Sequence, residues 1–237
     1  ARGVLSVRSL PLSMRMRPLL LAALLLITSA LQAQAELITA ANAALARIAE
    51  ANADEARDSA SQVLSGTLRT LLEREDAMAL DLTGLRMSRV DAPDGRFRLL
   101  TWNVPHQDGS HRYHGLLLVQ DRKRRVVHEL QDRTRSIEQP ERRNLTTDQW
   151  YGALYYQVIP TRKGGRTWYT LLGWKGHSAV ETRKVIEVLS FRGSTPQFGA
   201  PLFGEGRVRD LRRVYGFSFQ NSMSLKWDEA GQRIVLD

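Results

Sequence analysis

The sequence predicts a mainly β protein, an antiparallel meander forming a barrel or two-layer sandwich, preceded by an Ala-rich N-terminal helical segment. Apolar side chains recur at every second position through most of residues 81–237, which is the period of a strand. The turns between these stretches are too short for helical crossovers, so neighbouring strands should be antiparallel. Residues 36–80 instead show apolar steps of three and four and contain no proline.

Residues 1–35 are interpreted as a signal peptide with an upstream extension. A basic stretch starts at Met14, an apolar run covers residues 19–31, and Ala-Gln-Ala ends at Ala35. These parts in this order predict an export signal that is cleaved after Ala35. An uncleaved anchor is the alternative, but the run is shorter than the roughly 20 residues that a spanning helix needs. The mature chain is therefore expected to be periplasmic or secreted, with no stable membrane span after cleavage.

The helical segment, residues 36–80, should form one amphipathic helix or two helices broken near residues 52–54. Its apolar positions are Ile38, Ala41, Leu45, Ile48, Val63, Leu64, Leu68 and Leu71. Because a stripe made partly of alanine buries little apolar surface, the segment is expected to pack on the β domain or on a partner.

The β domain, residues 81–237, contains nine predicted strands. They cover residues 97–104, 112–119, 125–131, 153–159, 166–174, 184–191, 207–219, 223–228 and 232–236. In the fifth of these, Trp168 and Leu172 share one face while Tyr169 and Leu171 occupy the other, which predicts a central strand covered on both faces. The long connection, residues 132–149, should contain one short helical turn capped by Thr146 or Thr147.

The composition argues against a nucleic-acid partner and against any bond or site that needs cysteine. The formal charge is +9, but four arginines precede the expected cleavage site and the remaining basic residues are mixed with 25 acidic ones. A mixed surface of this kind indicates no nucleic-acid binding. The chain has no cysteine, so a disulfide, a thiolate metal site and a cysteine nucleophile are excluded.

The spacing of reactive side chains predicts no catalytic site, no metal site and no cofactor. His111 and His114 lie three positions apart, so on a strand they point to opposite faces and cannot share a metal without a bulge. The Gly-x-Ser-x-Gly elbow of acyl-transfer enzymes does not occur. Carboxylates that would make an acid and base pair if two faced one cleft are Glu129, Asp132, Glu181, Glu187, Asp210 and Asp228. For Glu187, on an apolar strand, a salt bridge to an arginine of the adjoining strand is an equal explanation.

The aromatic residues are concentrated in the β domain, where most of them should belong to the core. Three of them border predicted loops: Trp150, Tyr151 and Trp174. Because Trp and Tyr are favoured at contacts, these three are the predicted binding surface for a ligand or a partner.

Several sequence strings resemble a family of uncharacterised exported, mainly β proteins of Gram-negative bacteria. They include WYGALYY at residues 150–156, YTLLGW at residues 169–174 and FGAPLF at residues 198–203. The resemblance spans residues 97–237 and implies export and a β domain, with no activity to carry over. One departure is Lys175, which stands where the family more often has an acidic residue.

Together these features predict an exported envelope protein with a non-catalytic binding or structural role. Its partner would be an envelope protein or a small ligand. The alternative is a periplasmic or secreted hydrolase that uses carboxylate or histidine residues.

Overall fold

The computed structural model describes residues 13–122, 124–204 and 209–237, with the backbone alone for residues 13–30. The predicted extension upstream of the signal lies outside the described residues, apart from Ser13. The same holds for residues 207 and 208 of one predicted strand.

Two helices open the described chain, α1 over Ser13–Glu50 and α2 over Asp54–Glu73. The predicted break at residues 52–54 is confirmed. Asp54 and Glu55 occupy the first turn of α2, where negative charge favours the helix dipole. Neither helix, within the part that the structure describes, combines the length and hydropathy of a membrane-spanning segment.

The first sheet is a four-stranded antiparallel meander. Its strands are β1 over Ser88–Asp91, β2 over Phe97–Pro105, β3 over His111–Asp121 and β4 over Arg124–Gln131, paired in that order. Strand β1 was not predicted, since only one of its four residues is apolar and the apolar signal is therefore weak.

The second sheet has five antiparallel strands. They are β5 over Leu154–Lys163, β6 over Arg166–Gly176, β7 over Glu181–Arg192, β8 over Thr195–Phe198 and β9 over Arg213–Ser218. The strand order departs from sequence order at one place, where β9 returns to pair with β7 beside the short strand β8. A separate hairpin of β10, Leu225–Asp228, and β11, Arg233–Leu236, follows.

The two sheets stack as a sandwich, and the described residues form no closed barrel. The core between the sheets includes Phe97, Tyr113, Leu117, Tyr155, Tyr169, Leu171 and Leu189. The other face of β6 places Leu172 against Leu225 of the β10–β11 hairpin, so the predicted burial of this strand on both faces is confirmed.

The helices cover the outer face of the first sheet, so packing on the β domain is confirmed. Leu64, Leu68 and Leu71 are buried there together with Trp102 and Leu116. The indole nitrogen of Trp102 donates a hydrogen bond to the Ser61 hydroxyl at 2.8 Å. Val63, expected on the apolar stripe, is 46% exposed because it lies beside the line of buried positions.

The long connection between the sheets contains three short 3-10 turns, at Thr134–Ser136, Pro140–Arg142 and Thr147–Gln149. The last one follows Thr146, as predicted, although the Thr146 hydroxyl bonds to Asp148 at 2.5 Å rather than capping the backbone. Arg212 anchors the connection by donating to the carbonyls of Pro140 and Arg143. The same guanidinium binds Glu187 at 2.8 Å, and both side chains are fully buried.

Candidate functional site

A cleft of about 690 Å³ lies at one end of the sandwich. There β3 begins, β6 ends and the connection leaves β4, so residues distant in sequence meet. The connection supplies one wall through residues 132–137, and the ends of β3, β6 and β7 supply the floor and the opposite wall.

Lys175 forms the floor of the cleft and is only 1% exposed. Its ammonium donates to the Gly152 carbonyl at 2.5 Å and to the Thr134 hydroxyl at 2.9 Å. The same group lies 4.1 Å from the ring centre of Tyr113 and 4.7 Å from that of Tyr151. Two carbonyl or hydroxyl acceptors and two aromatic faces therefore replace the water that a lysine normally keeps.

No carboxylate among the described residues forms an ion pair with Lys175. Burial lowers the pKa of this ammonium from 10.5 to about 7, an effect that the Asp132 carboxylate opposes and Arg183 strengthens. The lysine therefore exchanges its proton near neutral pH, and any anion that enters the cleft would favour the charged form.

The Asp132 side chain binds backbone amides that line or support the cleft. Its carboxylate accepts from the Tyr113 and Thr134 amides, at 3.0 and 2.9 Å, and from the Thr134 hydroxyl. Gly152 is required beside it, because a Cβ there would lie 2.3 Å from the Cβ of Tyr113. Asp132 thus orients Thr134, which in turn binds Lys175.

Cationic side chains dominate the rim. Of the described residues that line the cleft, one is acidic, Asp132, and five are basic: Arg112, Arg133, Arg135, Lys175 and Arg183. Arg183 pairs with Glu181 and donates to the Tyr151 hydroxyl, each at 2.8 Å. Arg133 donates to the side-chain carbonyl of Gln131 at 3.0 Å and forms no ion pair among the described residues.

Two histidines of the lining are neutral at neutral pH. Burial lowers the pKa of His111 and of His177, and the nearby Lys175 charge contributes to both shifts. The Asn103 amide donates to Nδ1 of His111 at 2.8 Å, which assigns the ring proton to Nε2. His114 points to the opposite face of β3 and stacks on Trp102 at 5.4 Å, as its spacing predicts.

The structure separates the three residues predicted as a binding surface. Trp150 is 0% exposed in the inter-sheet core and donates to Tyr155, so it offers no surface to a ligand. Tyr151 lines the cleft, and its ring contacts the Lys175 ammonium. Trp174 is half-buried and lines a neighbouring groove.

The six carboxylates considered for catalysis are dispersed. Glu129 pairs with Arg69, Glu181 with Arg183 and Asp228 with Arg233, each on a different part of the surface. Glu187 is in the buried pair with Arg212, as the salt-bridge explanation anticipated. Within the described ranges, no group of three histidine or carboxylate side chains is arranged to hold a metal ion.

The sequence did not identify Lys175 as a site residue. Its signal is a lysine within an otherwise apolar strand, and only the fold shows that Thr134 and Gly152 meet it. The resulting arrangement can hold an anion through charge, hydrogen bonds and desolvation. Comparison of this chain with protein-family models, curated proteins and solved structures found no match.

Proposed function

We propose that this chain is an exported envelope protein whose β sandwich binds a small anionic ligand, a carboxylate or a phosphate, without catalysis. The observation that carries the proposal is the buried Lys175 ammonium at the floor of an open cleft, with no ion-paired carboxylate among the described residues. Removing a charge from water costs several kcal/mol in a protein interior. A bound anion would offset that cost, which makes the cleft selective for negative ligands.

The rim supports the same ligand class. Arg133 and Arg135 project from the wall formed by the connection, and Arg183 stands on β7. Guanidinium groups bind carboxylate and phosphate oxygens with two parallel hydrogen bonds. A ligand that reaches Lys175 would therefore pass arginines that can bind its oxygens.

Export is supported by the N-terminal pattern and by the packing of α1. The described side chains of α1 that pack in the core begin at Leu37, immediately after the expected cleavage point. A mature chain that starts at Glu36 would keep all of those packing contacts.

Calorimetric titration with phosphate, succinate and acetate at low ionic strength tests the binding proposal. We expect one saturable site whose affinity falls with added salt. Lys175→Met should abolish it, and Arg133→Gln should weaken it about tenfold.

Arg162→Gln is the matched control, because Arg162 is exposed near the far end of the β5–β6 hairpin and its loss changes the net charge equally. This variant should alter affinity by less than about twofold. Equal losses in Arg133→Gln and Arg162→Gln, or no saturable binding by the parent protein, would contradict the proposal.

A further inference from the structure

A second concavity, a groove of about 630 Å³, adjoins the cleft. Its apolar lining includes Trp174, Phe217, Phe219 and Met223, and none of the described residues that line it is acidic. Phe219 is 55% exposed, and its amide donates to the carbonyl of Val180, which is 70% exposed. Two large apolar side chains thus stand exposed together beside an aromatic groove.

His106, His111 and Gly176 line both the cleft and the groove. The imidazole of His111 lies edge-on to Trp174 at 5.9 Å on the groove side and stacks near Tyr113 at 6.4 Å on the cleft side. Gly176 packs directly on that ring, since a Cβ there would lie 2.6 Å from Nε2 of His111. The boundary between the two concavities therefore consists of two imidazoles and one residue without a side chain.

We infer that the ligand is a free single-chain anionic amphiphile, with its head group in the cationic cleft and its hydrocarbon chain along the groove. This inference rests on the proposed anion site and adds the chemistry of the remainder of the ligand. The cleft has five basic residues around its floor and rim, whereas the groove presents Trp174, Phe217 and Phe219. Charge at one end and apolar contact at the other match a fatty acid better than a small hydrophilic anion.

The exposed residues support the same assignment. Isolated apolar side chains are common on protein surfaces, but Phe219 lines the groove and its backbone is hydrogen-bonded to that of Val180, so the two exposed residues are neighbours. A hydrocarbon chain lying there would cover surface that is otherwise left in water. Lys184, also in the lining, keeps the local charge positive, which favours an anionic over a cationic amphiphile.

The test compares acetate, hexanoate and decanoate below their micelle-forming concentrations, with decanol as the uncharged match. Affinity should rise with chain length by up to about fourfold per buried methylene, and decanol should bind more weakly than decanoate. An undecanoate brominated at its far end should quench tryptophan emission, and Trp174→Phe should remove most of that quenching.

Phe219→Ser should weaken decanoate binding by about fivefold or more while leaving acetate binding unchanged. Val63→Ser is its control, because Val63 is similarly exposed but lies on α2. If short and long carboxylates bind equally, or if the two serine variants behave alike, the amphiphile inference is wrong and the anion site stands. If no carboxylate or phosphate binds at all, the proposed function fails with it.

Discussion

At the residue scale, Lys175 links stability to pH. Its native pKa of about 7 lies below the ordinary 10.5, so between these values the unfolded chain binds more protons than the folded one. Stability therefore rises with pH across that window. Below about pH 7 both states carry the charge, and the full cost of burying it is present.

Replacement of Lys175 by Met should remove this pH dependence. Because of this group, the free energy of unfolding of the parent protein should rise by up to about 1.4 kcal/mol per pH unit between the folded and unfolded pKa values of Lys175. Urea unfolding across the window measures the slope, and Lys163→Met, at an exposed strand end, should keep it. Identical slopes in the parent protein and Lys175→Met would show that the lysine has no lowered pKa.

Gly152 offers a second prediction at this scale. Gly152→Ala should destabilise the protein by roughly 1–3 kcal/mol, because the new methyl group meets the root of the Tyr113 side chain and the Asp132 carboxyl. Gly66→Ala is the control, since nothing lies within 4 Å of its Cβ position in α2. That change should instead stabilise the helix by about 0.5–1 kcal/mol. Thermal unfolding of both variants measures these changes. Equal changes in stability for the two variants would show that the Gly152 position has no steric clash.

At the element scale, the buried Arg212–Glu187 pair fastens the long connection to the second sheet. Arg212 donates to the carbonyl of Pro140 at the start of the 3-10 turn, to that of Arg143 just after it, and to that of Phe198 on β8. Burial raises the pKa of Glu187, whereas the Arg212 guanidinium lowers it, so the charge on Glu187 depends on its partner. The connection that forms one wall of the cleft is thus held in place by the Arg212–Glu187 ion pair, which lies outside the cleft.

Arg212→Met should cost about 3–5 kcal/mol of stability because it leaves the Glu187 carboxylate buried and unpaired. The double variant Arg212→Met with Glu187→Leu should recover much of that loss. Arg233→Met is the comparison, since its pair with Asp228 is exposed and should contribute about 0–1 kcal/mol. Urea unfolding gives the energies, and amide exchange at Leu145 reports whether the connection opens. A double variant no more stable than Arg212→Met would contradict the explanation.

The long strands could be predicted because each extends over eight or more residues that are rich in aliphatic and aromatic side chains, as in β2, β3 and β6. Strands β1 and β8 have only four residues each, and their pairing with β2 and β7 defines them rather than their pattern. The return of β9 to β7 depends on long-range pairing, which no local signal specifies. Val63 was misplaced because two adjacent apolar residues both fit a helical step.

At the scale of the whole molecule, the cleft could not be predicted from the sequence, because it too depends on contacts between residues that are distant in the chain. Tyr113, Thr134, Gly152 and Lys175 come from two sheets and their connection, and only the stacking of the sheets brings them together. The sequence did indicate that Tyr151 and Trp174 border loops at an end of the sandwich. It did not indicate Lys175, because the burial of a single charged residue cannot be predicted from the pattern of apolar residues along a strand.

The packing of α1 gives the last prediction, which concerns the proposed export of the chain. Before Leu37, the described side chains contribute one hydrogen bond outside α1, from Gln34 to the Asp81 carbonyl at 2.7 Å. Removing residues 1–35 should therefore leave the core intact, and mass spectrometry of the periplasmic protein should find Glu36 at its start. Ala35→Trp should block cleavage, because signal cleavage needs a small residue there, whereas Ala40→Trp, also at an exposed position, should not. A periplasmic chain that retains residues 19–31 would refute the cleavage, and the role of α1 would then have to include its apolar N-terminal half.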